Sequence, residues 1–232
     1  MIDVIGKRTT GAGRAASLAA LGGVIGPVLF VILVVVAGVA YDGYSHVTQK
    51  ISELGGEGAE HAILQNLNFA ILGVLILGFS WALARTIGPS HLGPALVGYF
   101  GLVLVAHVWV PCDLGCKGET TIGLVHNVTG LSGFIASIAG MLLLARRWRE
   151  DPTWRPHARF TRAAVSIALA GLVWFVITQA ADIQSFAGIA QRTFTSALLL
   201  WIAVTAWKLL RHLSPPPMTS RLEPQPLDRR GL

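Results

Sequence analysis

The chain has 232 residues, of which 53% are hydrophobic and 13% charged, about half the charged fraction of an ordinary soluble domain. That balance excludes water as the main solvent of the folded protein. The formal net charge of +6 does not point to nucleic acid, because the basic residues lie in short segments between apolar runs and build no basic domain.

Six apolar runs follow one another, at residues 15–40, 62–84, 92–111, 121–145, 162–181 and 188–210. Each approaches the roughly 20 residues that cross about 30 Å of hydrocarbon. The expected fold is all-α, a polytopic membrane bundle of six transmembrane helices over residues 15–211. Residues 1–14 read as a cytoplasmic N-terminal segment. The first run is longer than the 7 to 15 apolar residues of a signal-peptide core, so it is expected to stay as a helix. From residue 212 the sequence turns polar and Pro-rich, with Ser214-Pro215-Pro216-Pro217, and reads as a disordered cytoplasmic tail to residue 232.

Basic residues set the expected direction, since Lys-rich and Arg-rich segments are retained in the cytoplasm. Of the 18 Lys and Arg, all but Lys50, Lys117 and Arg192 fall on one side of the alternating spans. That side holds both termini. The opposite side carries the acidic residues Asp42, Glu53, Glu57, Glu60, Asp113, Glu119 and Asp182.

The first outer loop, from Tyr41 to the Gly55-Gly56 pair, is too long and specific for a mere linker. It predicts a short amphipathic segment at the membrane surface, with Ile51 and Leu54 toward bilayer or bundle and Ser45, His46, Gln49 and Glu53 toward water. In the third loop, Cys112 and Cys116 are the only cysteines. They fit either a small disulfide in an oxidising compartment or two free thiols.

Polar pairs open the helices that run inward: Gln65-Asn66, His126-Asn127 and Gln191-Arg192. The outward-running third and fifth runs deliver Asp113 and Asp182 as they end. Ionisable groups in hydrocarbon are costly unless paired or facing water, so His107, His126 and Arg192 are expected inside the bundle. A functional reading makes Asp113 and His126 a catalytic acid/base pair. Arg192, Gln191, His46, Glu53 and Asp182 then bind substrate, with Arg192 holding an anionic group. The competing reading is a hydrogen-bond cluster that locks helices together. The Cys and His spacing matches no recognised zinc site, so no metal ligand is assigned, and no cofactor is specified. Trp174 and Trp201 are expected near mid-membrane, where they either wall a cavity or simply pack. Tyr41, Tyr44, Trp109, Trp148 and Trp207 are expected in interfacial belts. No nucleotide-binding, serine-hydrolase or zinc-protease motif is present.

Taken together, Gly26-Pro27, Tyr44-Ser45-His46, Ile51-Ser52-Glu53-Leu54-Gly55, Asp113, Gly123 with His126, and Gln191-Arg192 before Trp201 resemble the bacterial membrane family catalogued as domain of unknown function 998. The resemblance spans residues 16–210 and implies a bacterial inner-membrane location, but no reaction. Ile51–Gly55 followed by Leu64–Phe69 is also faintly similar to the six-span DRAM and Sfk type of membrane protein, some of which handle lipids. The resulting expectation is a protein in contact with membrane lipids that binds or processes a lipid or other hydrophobic substrate at the extracytoplasmic boundary. The alternative is a non-catalytic lipid-binding, transport or scaffolding protein.

Overall fold

Six α-helices arise from the six apolar runs: α1 (Ile2–Ala40), α2 (Ala62–Thr86), α3 (Leu92–Ala106), α4 (Thr121–Trp148), α5 (Arg155–Ala180) and α6 (Ala187–Leu213). The computed structural model describes residues 2–87 and 91–213, with side chains from Gly11 onward except Gln184. From residue 214 the expected tail lies outside the described residues. The starts of α1, from Ile2, and of α5, from Arg155, exceed the expected apolar limits, since a helix does not stop where its hydrophobicity does. Pro156 sits in the first turn of α5, where its missing N–H is not needed.

Five helices are long and apolar enough to cross a membrane. The exception is α3, whose 15 residues span only about 22 Å at 1.5 Å per residue. Its apolar run continues to Pro111, but His107–Val110 form turns, because the residue before proline is disfavoured in the helical region.

Each helix packs against its neighbours in sequence, and α6 returns to α1, closing a ring. The loops that follow α1 and α3 gather at one end, where 3-10 turns at Ile51–Gly55 and Leu114–Cys116 touch each other. Around the girth, Leu18, Val28, Val39, Ile63, Val74, Leu102, Val128, Ile135, Val173 and Leu200 are all exposed. A continuous apolar surface of this kind suits lipid, and soluble monomers rarely carry one.

Glycines set how closely the helices approach. A Cβ on Gly73 of α2 would stand 2.5 Å from the Gly101 carbonyl of α3, and one on Gly140 of α4 would stand 2.6 Å from the Gly93 carbonyl of α3. The short α3 is therefore clasped from both sides by backbone contact, the packing that apolar solvent favours. Two buried polar ties add to this: Asn68 Nδ2 donates to the Phe30 carbonyl and Ser80 Oγ to the Pro94 carbonyl.

The aromatic expectations hold only in part. Trp207 is exposed beneath Arg211, and Trp81 beneath Arg85, as interfacial residues should be. Trp148 is instead fully buried and stacks on Trp154, because α4 continues past its apolar run and folds against α5. Trp201 is buried and its indole donates to Thr161 Oγ1. Trp174 is exposed, so the two tryptophans do not wall a cavity together.

Candidate functional site

The first loop, between α1 and α2, is drawn down onto the bundle. Ile51 and Leu54 are buried in the core, so the segment is a plug at the mouth of the ring and does not lie flat on the bilayer. Residues expected to face water, Ser45, His46, Gln49 and Glu53, are half-buried and bonded to protein. Glu53 caps the turn by accepting the Lys50 amide at 2.9 Å.

Arg192, at the start of α6, organises this plug. One guanidinium nitrogen donates to the carbonyls of Gln49 (2.8 Å) and Gly188 (3.1 Å), and the other to the Tyr44 hydroxyl (2.6 Å) and His46 Nδ1 (2.9 Å). Tyr44 passes its own proton to the Lys50 carbonyl. Gln191 Oε1 accepts the Ile51 amide at 2.6 Å, and the amides of Gly188 and Ile189 donate to the carbonyls of Thr48 and Val47. A side chain on Gly188 would strike the Gln49 carbonyl, so only glycine lets the loop come this near. The Arg192 fork, expected to hold an anionic substrate, is thus occupied by the chain's own acceptors.

His46 accepts from Arg192, so its Nδ1 is unprotonated. Burial and the neighbouring guanidinium both lower its pKa. A lowered folded value means that the stability from this contact is fully present above the ordinary histidine pKa of about 6.5 and is lost as pH falls through the folded value. Unfolding temperature in detergent is expected to drop between pH 7.5 and 5.5, and to drop less in His46→Gln. An identical pH dependence in both proteins would refute the coupling.

The third loop is closed by a Cys112–Cys116 disulfide, resolving the choice the sequence leaves open. A bonded sulfur has no proton to give, so the 3.4 Å contact between Ser52 Oγ and Cys116 Sγ has the hydroxyl as donor and fastens the first loop to the third. Asp113 is buried and accepts from the amides of Gly118 and Thr120. Burial would raise its pKa, but these amides, that of Glu119 and the Thr120 hydroxyl outweigh burial and hold the carboxylate below its usual range. Gly123 lies against this carboxylate, and any Cβ there would collide with it.

Beneath the plug lies a cavity of about 540 Å³. Its depth is apolar, with Phe30, Phe69, Phe100, Phe134, Phe175 and Phe194, one from each of the six helices. Its rim is polar, with Lys50, Lys117, Glu119, Asn127, Gln179, Asp182 and Gln191. Leu131 of α4 and Val176 of α5 line it and are both exposed.

Two histidines stand where depth meets rim, their rings stacked with centroids 4.0 Å apart. His126 Nδ1 lies 2.7 Å from the Val110 carbonyl, which can only accept, so Nδ1 carries the proton and Nε2 the lone pair. The Thr129 hydroxyl gives its proton to the Val125 carbonyl at 2.6 Å and therefore accepts from His107 Nε2.

Of the residues singled out from sequence, His126, Gln191 and Asp182 line this cavity, whereas Asp113, Arg192, His46 and Glu53 support the loops around it. Asp182 takes a left-handed backbone (φ 51°) where α5 ends, a conformation Asp tolerates better than most residues. Sequence reasoning missed Lys50. Its one signal was being the lone Lys or Arg in an otherwise acidic first loop.

The sequence model of a family described as "Protein of unknown function (DUF998)" matches residues 24–208. No curated protein and no solved structure matches the chain.

Proposed function

We propose, for a chain that belongs to the DUF998 family of unknown function, that it binds a single-chain or double-chain lipid at the extracytoplasmic boundary of the inner membrane. The observation that carries this reading is the cavity, with an apolar depth lined with phenylalanine and a polar rim; the exposed Leu131 and Val176 in its wall are read as the entry from the bilayer between α4 and α5. Ligand pockets combine these features, with a largely apolar wall and a few polar groups that fix orientation.

The reading includes six crossings, with His107–Pro111 completing the third, and both termini in the cytoplasm. The distribution of Lys and Arg supports that direction, as does a disulfide in the third loop, since such bonds persist in oxidising compartments.

The test is lipid analysis of protein purified in a neutral detergent. Wild type is expected to retain bound lipid at near-stoichiometric amounts, and Val176→Trp, which fills the opening, to retain much less at an unchanged unfolding temperature. Wild type that carries no lipid and takes up none when it is offered refutes the proposal.

A catalytic use of the same site has one specific observation behind it, the unprotonated Nε2 of His126 at the cavity wall, which has no partner among the described residues. In that version His126 takes a proton from the bound headgroup or a water, and Asp113 holds the adjoining loop with its negative charge. A product that forms with wild type and vanishes with His126→Ala and Asp113→Asn is the signature. Lipid binding without turnover leaves the carrier reading.

A further inference from the structure

Lys50 is 3% exposed, yet it stands on the cavity rim. Its ammonium donates to the carbonyls of Gly115 and Cys116, each at 3.0 Å. An ammonium has three N–H donors, and the third has no acceptor among the described residues. No carboxylate of a described residue is within ion-pair distance of it either, the one such pair being Lys117 with Glu119. Glu53, Asp113 and Asp182 act on it only from beyond contact, and a buried cation with no carboxylate in contact is costly.

The local structure holds the charge in place despite that cost. The Lys50 backbone is pinned on both sides, its amide by Glu53 and its carbonyl by Tyr44. The two acceptor carbonyls belong to the five-residue loop that the Cys112–Cys116 disulfide closes. Asn127 Nδ2 also donates to the Cys116 carbonyl, leaving its second N–H for the rim. Lys50, Lys117, Glu119 and Asp182 balance in formal charge on the rim, and Lys117 is paired with Glu119, so Lys50 alone is left to meet a headgroup and one negative charge is the match for it.

We infer that Lys50 is the headgroup anchor of the cavity: its free N–H receives the anionic oxygen of an amphiphile bearing a single negative charge, a phosphodiester or a carboxylate, whose chain lies among the phenylalanines below. The inference rests on the lipid-binding reading above and assigns it a ligand class. Burial lowers the Lys50 pKa, so an arriving anion also restores the charge that burial opposes.

The experiment measures binding to the purified protein in maltoside detergent of three probes: laurate, lauroyl lysophosphatidylglycerol and neutral monolaurin. Wild type is expected to bind at least one of the two anions roughly tenfold more tightly than monolaurin, and whichever anion is preferred identifies the source as carboxylate or phosphodiester. Lys50→Met is expected to bind monolaurin as wild type does and to lose the tenfold preference. Lys50→Gln, whose amide still donates to the Gly115 and Cys116 carbonyls, serves if the methionine variant does not fold. Equal wild-type affinity for all three probes, or a preference that survives in the variants, overturns the role of Lys50 while leaving lipid binding intact. Failure of wild type to bind any probe overturns the lipid reading and this inference with it.

Discussion

Arg192→Ala is expected to cost about 2–4 kcal/mol and to undock the first loop, between α1 and α2. Hydrogen bonds to a charged group contribute roughly 1.5–3 kcal/mol each. Arg192 makes four of them, to Gln49, Gly188, Tyr44 and His46, but the group is only half-buried and water recovers part of the loss. Two readouts separate local from global effects. Thermal unfolding in detergent reports the stability. Limited trypsin digestion reports the loop, because Lys50 is its only basic residue and is buried in the native state, so cleavage there requires undocking. Arg192→Lys is expected to recover less than half of the stability, since an ammonium cannot reproduce the planar fork that reaches two pairs of acceptors at once. If trypsin leaves Lys50 intact in Arg192→Ala and the unfolding temperature does not move, Arg192 does not hold the plug.

A comparable loss, about 3 kcal/mol, is expected for Gly101→Val at the crossing of α3 and α2. A Cβ on Gly101 would stand 2.7 Å from the Gly73 carbonyl and 3.2 Å from Ile76. The nearest obstacle is backbone, which cannot rotate aside, so the helices must part. Overpacking of this kind typically costs 1–3 kcal/mol, occasionally more. Because Phe100, Val103 and Leu104 on the same helix form part of the cavity wall, the variant is also expected to lose bound lipid. Gly78→Ala is the control: its nearest neighbour would be Ala19 at 3.8 Å, and replacing a helical glycine there is neutral or mildly stabilising. Equal stability of Gly101→Val and wild type would show that α2 and α3 do not depend on this contact.

The two substitutions act on different parts of the molecule. Gly101 maintains the ring that encloses the cavity, whereas Arg192 maintains the plug above it. Lys50 belongs to both, since its backbone is in the plug and its ammonium on the rim. Loss of the plug is therefore expected to weaken headgroup selection more than chain binding.

Composition and the spacing of apolar runs determined the solvent, the all-helical class and the order and number of the helices, because hydrophobicity is a local property, although α1 and α5 begin well before their apolar runs. They also placed His126, Gln191 and Asp182 near one boundary. The length of α3 was less legible, since its apolar run carries on into turns before Pro111. Only the tertiary structure decided what each polar side chain does. Arg192 and Tyr44 are 148 positions apart, and Lys50 and Cys116 are 66 apart, so no window of sequence contains both partners. An arginine that fills its fork with neighbouring carbonyls and a lysine left with one free N–H are alike as letters. The difference is made by which helix ends the glycine contacts allow to meet.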